Sequence, residues 1–142
     1  MARRLRQLGH LRHGLFRLFD KTPHALGRVR AWSRRKGEYD RRAAFALLAS
    51  VAAHDRALDD SAFTACLPVI ERAADDDRNF VKKGVSWALR MVGRRSLRLH
   101  AESLALARRL SESDERAARW IGRDALRDLG KPAVVRRLKS SR

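Results

Sequence analysis

The stretch Asn79-Phe80-Val81-Lys82-Lys83-Gly84-Val85-Ser86-Trp87-Ala88-Leu89-Arg90-Met91-Val92-Gly93 decides the fold class. Advancing 100° per residue places Val81, Val85, Ala88 and Val92 within about 60° of one another. That is the apolar stripe of a half-buried helix, not the alternation of a strand. Lys83, Trp87 and Arg90 fall on the opposite face. Gly93 closes the run, as glycine does at a helix C-terminus.

The same period extends in both directions. Upstream, Asp75-Asp76-Asp77 breaks the pattern and is expected to cap the helix that follows. Before that, Phe63, Leu67, Ile70 and Ala74 recur at helical spacing across one expected helix, and His54 to Asp60 reads as a polar loop. A further helix is expected from about Tyr39 to Ala53, with Ala44, Leu48 and Val51 inward and Arg42 opposite. Thr22-Pro23 reads as an N-cap and first-turn proline, opening a helix to about Ser33 that Lys36-Gly37 ends. Downstream, Ser96 caps a helix to about Leu110. Ser113 caps another, with Ala118, Ile121, Ala125 and Leu129 inward, and Gly130 stops it. Pro132 starts a short last helix.

Short loops predict antiparallel helix pairs. Arg41-Arg42-Ala43-Ala44, Lys82-Lys83-Gly84-Val85 and Arg119-Trp120-Ile121-Gly122 line up at offsets of 41 and 37 residues. That period suits HEAT-like helix pairs stacked into a solenoid. The expected fold is therefore all-α: a HEAT-like repeat solenoid of about three antiparallel helix pairs plus a terminal helix. Residues 1–20 read as a basic N-terminal helix or remnant, and residues 21–142 as the repeat domain. The first nineteen residues are Arg-rich and free of acid, so they fit a DNA-facing helix or an organelle transit peptide.

With 142 residues, 44% of them apolar, the chain is long enough for one core and too short for two ordinary domains. Its 33 basic residues against 16 acidic give a formal net charge of +17. Such an excess points to a polyanion: nucleic acid, or an anionic surface. Equivalent helices of the three pairs each set cations away from the core: Arg42 on the first, Lys83 and Arg90 on the second, Arg116, Arg123 and Arg127 on the third. Lys82 and Arg119, from the aligned blocks, join Arg42, Lys83, Arg90 and Arg123 as DNA-binding candidates. Trp87 and Trp120 sit among them. Successive second helices of a solenoid line one surface, so these cations would neutralise neighbouring phosphates of a duplex. Each tryptophan either lies against a sugar or displaced base, or fills a joint between pairs.

Other chemistry has little support. There is no Gly-rich phosphate loop, HExxH helix or CxxC pair. His10 and His13 lack a third ligand and read as a surface pair. The three aspartates at 75–77 read as caps rather than a cation site. Cys66, the single cysteine, reads as a buried structural thiol in a reducing compartment. No metal and no small-molecule cofactor is expected. No apolar run is long enough to span a membrane, and no membrane partner is expected.

Several blocks resemble the AlkD-like DNA alkylation repair family: Leu18 to Ala25, Trp32-Ser33-Arg34-Arg35, Arg41 to Leu48, Asn79 to Val85 with Trp87-Ala88-Leu89-Arg90, and Ala118 to Gly122 with Asp124 to Arg127. They span about Leu18 to Leu138. The resemblance implies HEAT-like repeats whose concave basic face grips double-stranded DNA, alkylated or not. It also implies a glycosylase that releases cationic N3- or N7-alkylated purines. By resemblance, Arg42 contacts DNA near the lesion, Trp87 lines the lesion-side cleft, and Arg90 is a neighbouring backbone contact. Lys82 and Lys83 belong to the same block.

Active members of that family carry a Trp and an Asp four residues apart, upstream of the segment resembling Leu18 to Ala25. The carboxylate is expected to stabilise a cationic sugar. Here no Trp and no acid precedes Asp20, and Asp20 itself occupies a different family position. The chain is thus expected to be a C-terminal portion or degenerate member, binding the DNA backbone with no catalytic residue. Two alternatives stay open. One is an active glycosylase using a substitute carboxylate; the other is a basic helical module binding RNA or an acidic protein. The expected location is the bacterial cytoplasm, at the nucleoid.

Overall fold

The computed structural model describes residues 24–140. The N-terminal stretch 1–20, the His10 and His13 pair, Asp20 and the Thr22-Pro23 helix start lie outside the described residues. The regular secondary structure of the described residues is all helix, with no strand among them. The helices are α1 (His24–Ser33), α2 (Glu38–His54), α3 (Asp60–Thr64), α4 (Leu67–Ala73), α5 (Asn79–Gly93), α6 (Leu97–Ser111), α7 (Arg116–Leu129) and α8 (Pro132–Ser140).

They stack in two layers. In the inner layer α2 packs on α5 and α5 on α7. In the outer layer α1 touches α4, and α4 touches α6. Each inner helix also packs on the outer helix that precedes it: α2 on α1, α5 on α4, α7 on α6. This is the expected all-α arrangement of stacked helix pairs.

Side-chain hydrogen bonds between the pairs carry the same period. Arg41 reaches Asp76, Thr64 reaches Glu102, Ser86 reaches Asp124, and Arg94 reaches Asp128. These pairs are 35, 38, 38 and 34 residues apart. A partner roughly one repeat away is what a stack of repeated units gives, because each unit touches only its neighbours.

The apolar stripes do what their spacing implies. Val81, Val85, Ala88 and Val92 of α5 are fully buried, as are Ala44, Leu48 and Val51 of α2 and Ile121, Ala125 and Leu129 of α7. Phe45, Phe63, Ile70, Leu89, Leu99 and Leu106 complete the core. Each such large side chain contributes about 1.5–3 kcal/mol relative to exposure.

Three local expectations are corrected. The segment Phe63 to Ala74 is two helices, not one. Pro68 has no N–H to bond the carbonyl of Thr64, and the chain turns at Ala65-Cys66 before α4 begins. The acidic triplet supplies no side-chain cap to α5, whose N-cap is Arg78. Ser113 stands two residues early: α7 has Glu115 at its N-cap, and the Ser113 hydroxyl accepts from the Glu115 backbone N–H at 3.0 Å. Ser96 does cap α6, accepting from the Leu99 N–H at 3.1 Å.

Candidate nucleic-acid interface

The helical phase of α5 sorts its side chains into three strips. Gly84 faces α2, where a Cβ would sit 3.6 Å from that of Phe45, and Phe80 stands at the exposed edge of that strip, its ring centre 4.7 Å from the Arg42 guanidinium. Lys82, Ser86 and Arg90 face α7. Between these two sets, opposite the buried valines, Lys83 and Trp87 turn out to solvent.

Along the seam between α2 and α5, Asp76 gathers the cations. Its carboxylate accepts from Arg41 Nη1 at 3.0 Å, and from Arg78 through Nε at 3.0 Å, Nη2 at 2.7 Å and the backbone N–H at 3.1 Å. Those bonds favour the charged form, Arg78 foremost, and hold the carboxyl down at about 2. The neighbouring Asp77 accepts from Arg116 of α7 at 2.8 Å, with Lys82 Nζ 4.0 Å away. Its titration is lowered too, chiefly by the Arg116 bond.

The seam between α5 and α7 is closed in the same way. The Ser86 hydroxyl donates to Asp124 Oδ2 at 2.6 Å, with Arg90 Nε 3.7 Å from that oxygen and Arg127 Nη2 3.5 Å from the other. Lys82 Nζ stands 5.0 Å from the Trp120 ring centre. Trp120 is half-buried and packs against the core. Lower down, Arg94 donates to both oxygens of Asp128, at 2.8 and 2.9 Å. Arg119 Nη1 donates to the carbonyls of Ser113 and Asp114, at 3.0 and 2.8 Å, bracing the loop before its own helix.

The eight residues singled out from the sequence therefore divide. Lys82, Arg90, Arg119 and Trp120 sit in or beside the seams, each with a partner in the fold. Arg42, Lys83, Trp87 and Arg123 lie on the exposed crests of α2, α5 and α7. Neither Lys83 nor Arg123 has a carboxylate within ion-pair distance among the described residues. An unpaired ammonium or guanidinium on a crest is free to take a phosphate oxygen.

Two crest residues escaped the sequence reading: Tyr39 on α2 and Phe80 on α5. With Trp87 they are the exposed large apolar side chains of the described structure, at 80%, 54% and 41% exposure. Phe80 lies three residues before Lys83 and seven before Trp87, a spacing that puts all three on one helix face. That was the available signal.

Cys66 is buried, with its thiol 3.4 Å from the Ala62 carbonyl, and burial pushes its titration up to about 11. It is a structural thiol rather than a nucleophile. Among the described residues no cluster of His, Cys, Asp or Glu is placed to hold a metal ion, and no helix is long and apolar enough to cross a membrane.

No curated protein and no solved structure matches the chain. A family model does. Residues 9–133 match the one described as DNA alkylation repair enzyme. With inner helices that present cations on the side away from the core, the chain belongs to the DNA alkylation repair enzyme family.

Proposed function

We propose that this DNA alkylation repair-type protein holds the phosphate backbone of double-stranded DNA on the crests of α2, α5 and α7, as a HEAT-like stack does with its inner face. The observation that carries this reading is the unpaired state of Lys83 and Arg123 on neighbouring crests, with Arg42 and Trp87 beside them. Lys82, Arg90, Arg119 and Trp120 support the surface from behind by fixing the inner helices against one another. A cytoplasmic, nucleoid-associated location belongs to the same proposal.

The reading is of binding without glycosidic bond cleavage. A glycosylase that expels a cationic purine needs a carboxylate open to the sugar. On the inner helices the charge of Asp124 is met by Ser86, Arg90 and Arg127, and Asp40 of α2 has Arg35 3.6 Å away. No Asp or Glu stands unpaired beside Trp87 on α5.

Duplex titrations at several salt concentrations test the binding. We expect affinity to fall steeply with salt, and Lys83→Ala to lower the log–log slope by about one. An affinity indifferent to salt would reject the proposal. Incubation with methylated duplex tests the chemistry: release of 7-methylguanine above the hydrolytic background would restore the enzyme.

A further inference from the structure

The other large aromatic side chains of the described residues are covered at least in part: Phe45 and Phe63 expose nothing, and Trp32 and Trp120 are half-buried against the core. Tyr39, Phe80 and Trp87 depart from that rule, and all three do so on the inner helices. Phe80 and Trp87 share one face of α5, separated by two turns, a rise of about 10 Å. Tyr39 stands one turn before Arg42, and Arg42 lies over Phe80. Lys83 falls between Phe80 and Trp87. The strip therefore runs ring, cation, ring, cation, ring: Tyr39, Arg42, Phe80, Lys83, Trp87.

Phosphate binding alone does not call for this pattern. The outside of a duplex offers phosphates and sugars, while the faces of its bases are stacked on one another. A phenyl or phenol ring gains little from a phosphate. An unpaired base shows a π-face on each side, and base–aromatic stacking is a strong, sequence-tolerant contact. Basic strips interleaved with exposed rings are how single strands are held.

We infer that the strip Tyr39–Arg42–Phe80–Lys83–Trp87 takes unpaired DNA, with bases stacked on the three rings and phosphates on Arg42 and Lys83. The inference deepens the backbone-binding reading and rests on it for the role of the two cations. Its own content is the assignment of Tyr39 and Phe80, which that reading does not use.

The test compares fluorescently labelled oligo-dT with a mixed-sequence duplex of equal length, at one salt concentration, by anisotropy. The variants are Tyr39→Ala and Phe80→Leu. Tyr39 has no hydrogen bond among the described residues, so its removal leaves the fold intact. Leucine at 80 removes the π-face but keeps apolar bulk beside Arg42. We expect each variant to weaken oligo-dT binding by about fivefold or more, the loss of one stacked base. Duplex affinity should stay within about twofold of wild type.

Equal losses on both ligands, or unchanged oligo-dT binding, would overturn the inference. Oligo-rU displacing oligo-dT with ease would assign the strip to RNA instead, and overturn it as stated. A wild-type protein that fails to bind duplex while binding oligo-dT through Tyr39 would sink the duplex reading alone.

Discussion

Along the seams between α2, α5 and α7, Arg41, Arg78, Lys82, Arg90 and Arg94 each meet an acid, and Arg119 meets two carbonyls. On the crests of the same helices, a turn or less away, Lys83 and Arg123 meet none. The two regions have similar composition and opposite physics. In a seam, a cation stabilises the stack by satisfying a partly buried carboxylate. On a crest it adds nothing to folding and raises the local positive potential. A formal charge of +17 counts both alike. The fold separates the cations that hold the helices together from those left for a partner.

The seams can be broken at their tightest crossing. Gly122 of α7 lies against α6, where a Cβ would come 2.5 Å from the Ala107 carbonyl oxygen and 2.9 Å from the Leu110 carbonyl carbon. Backbone cannot yield as a side chain can. Gly122→Ala should destabilise the protein by about 3 kcal/mol in urea unfolding. Gly84 occupies a similar mid-helix place on α5, but its Cβ would find Phe45 at an ordinary 3.6 Å. Gly84→Ala should be neutral or stabilise by up to about 1 kcal/mol, since alanine favours helix. Equal costs at the two sites would mean that the α6–α7 crossing is looser than drawn.

A smaller effect is expected from Asp76→Asn, which leaves Arg41 and Arg78 facing an amide. We expect a loss of about 2 kcal/mol at neutral pH. That loss should depend on pH in a definite direction. The folded-state carboxyl titrates at about 2, below its ordinary 3.8. A depressed carboxyl stabilises fully above its unfolded value, and the contribution disappears as pH falls through the folded one. The difference between wild type and variant should hold above about pH 4 and shrink towards about pH 2. A difference that is flat across this window would show that the charge on Asp76 is not what binds the seam. Smallest of all, Lys83→Ala on the crest should shift stability by less than about 0.5 kcal/mol, because it removes no contact.

Much of this architecture was legible in the chain. A period of 3.6 residues gave the buried faces of α2, α5 and α7, and the opposite face of α5 put Lys83 and Trp87 outward together. The break at Pro68 was readable but overridden by the apolar spacing of Phe63, Leu67, Ile70 and Ala74. What the helical wheel could not do was rank the cations. Lys82 and Lys83 are adjacent and identical in type, yet one faces Trp120 and Asp77 and the other faces water. Asp77 is five residues from Lys82, but Trp120 is about a repeat away and is brought alongside only by stacking. A search for acids 34–39 residues from each Arg or Ser would have found Asp76, Asp124 and Asp128. Phe80 and Tyr39 were hidden for a related reason: an aromatic at a helix start reads as core until the neighbouring helix shows that it is not covered.

Two double variants with the same change in net charge separate position from total charge. One reverses the crests, Lys83→Glu with Arg123→Glu. The other reverses exposed residues of the outer helices, Arg30→Glu on α1 with Arg108→Glu on α6. Duplex affinity and its salt dependence are then measured for both and for wild type. We expect the crest pair to lose about tenfold or more in affinity and at least two in salt slope, and the outer pair to lose far less. Equal losses would contradict a phosphate-binding crest and leave only a protein that is basic all over.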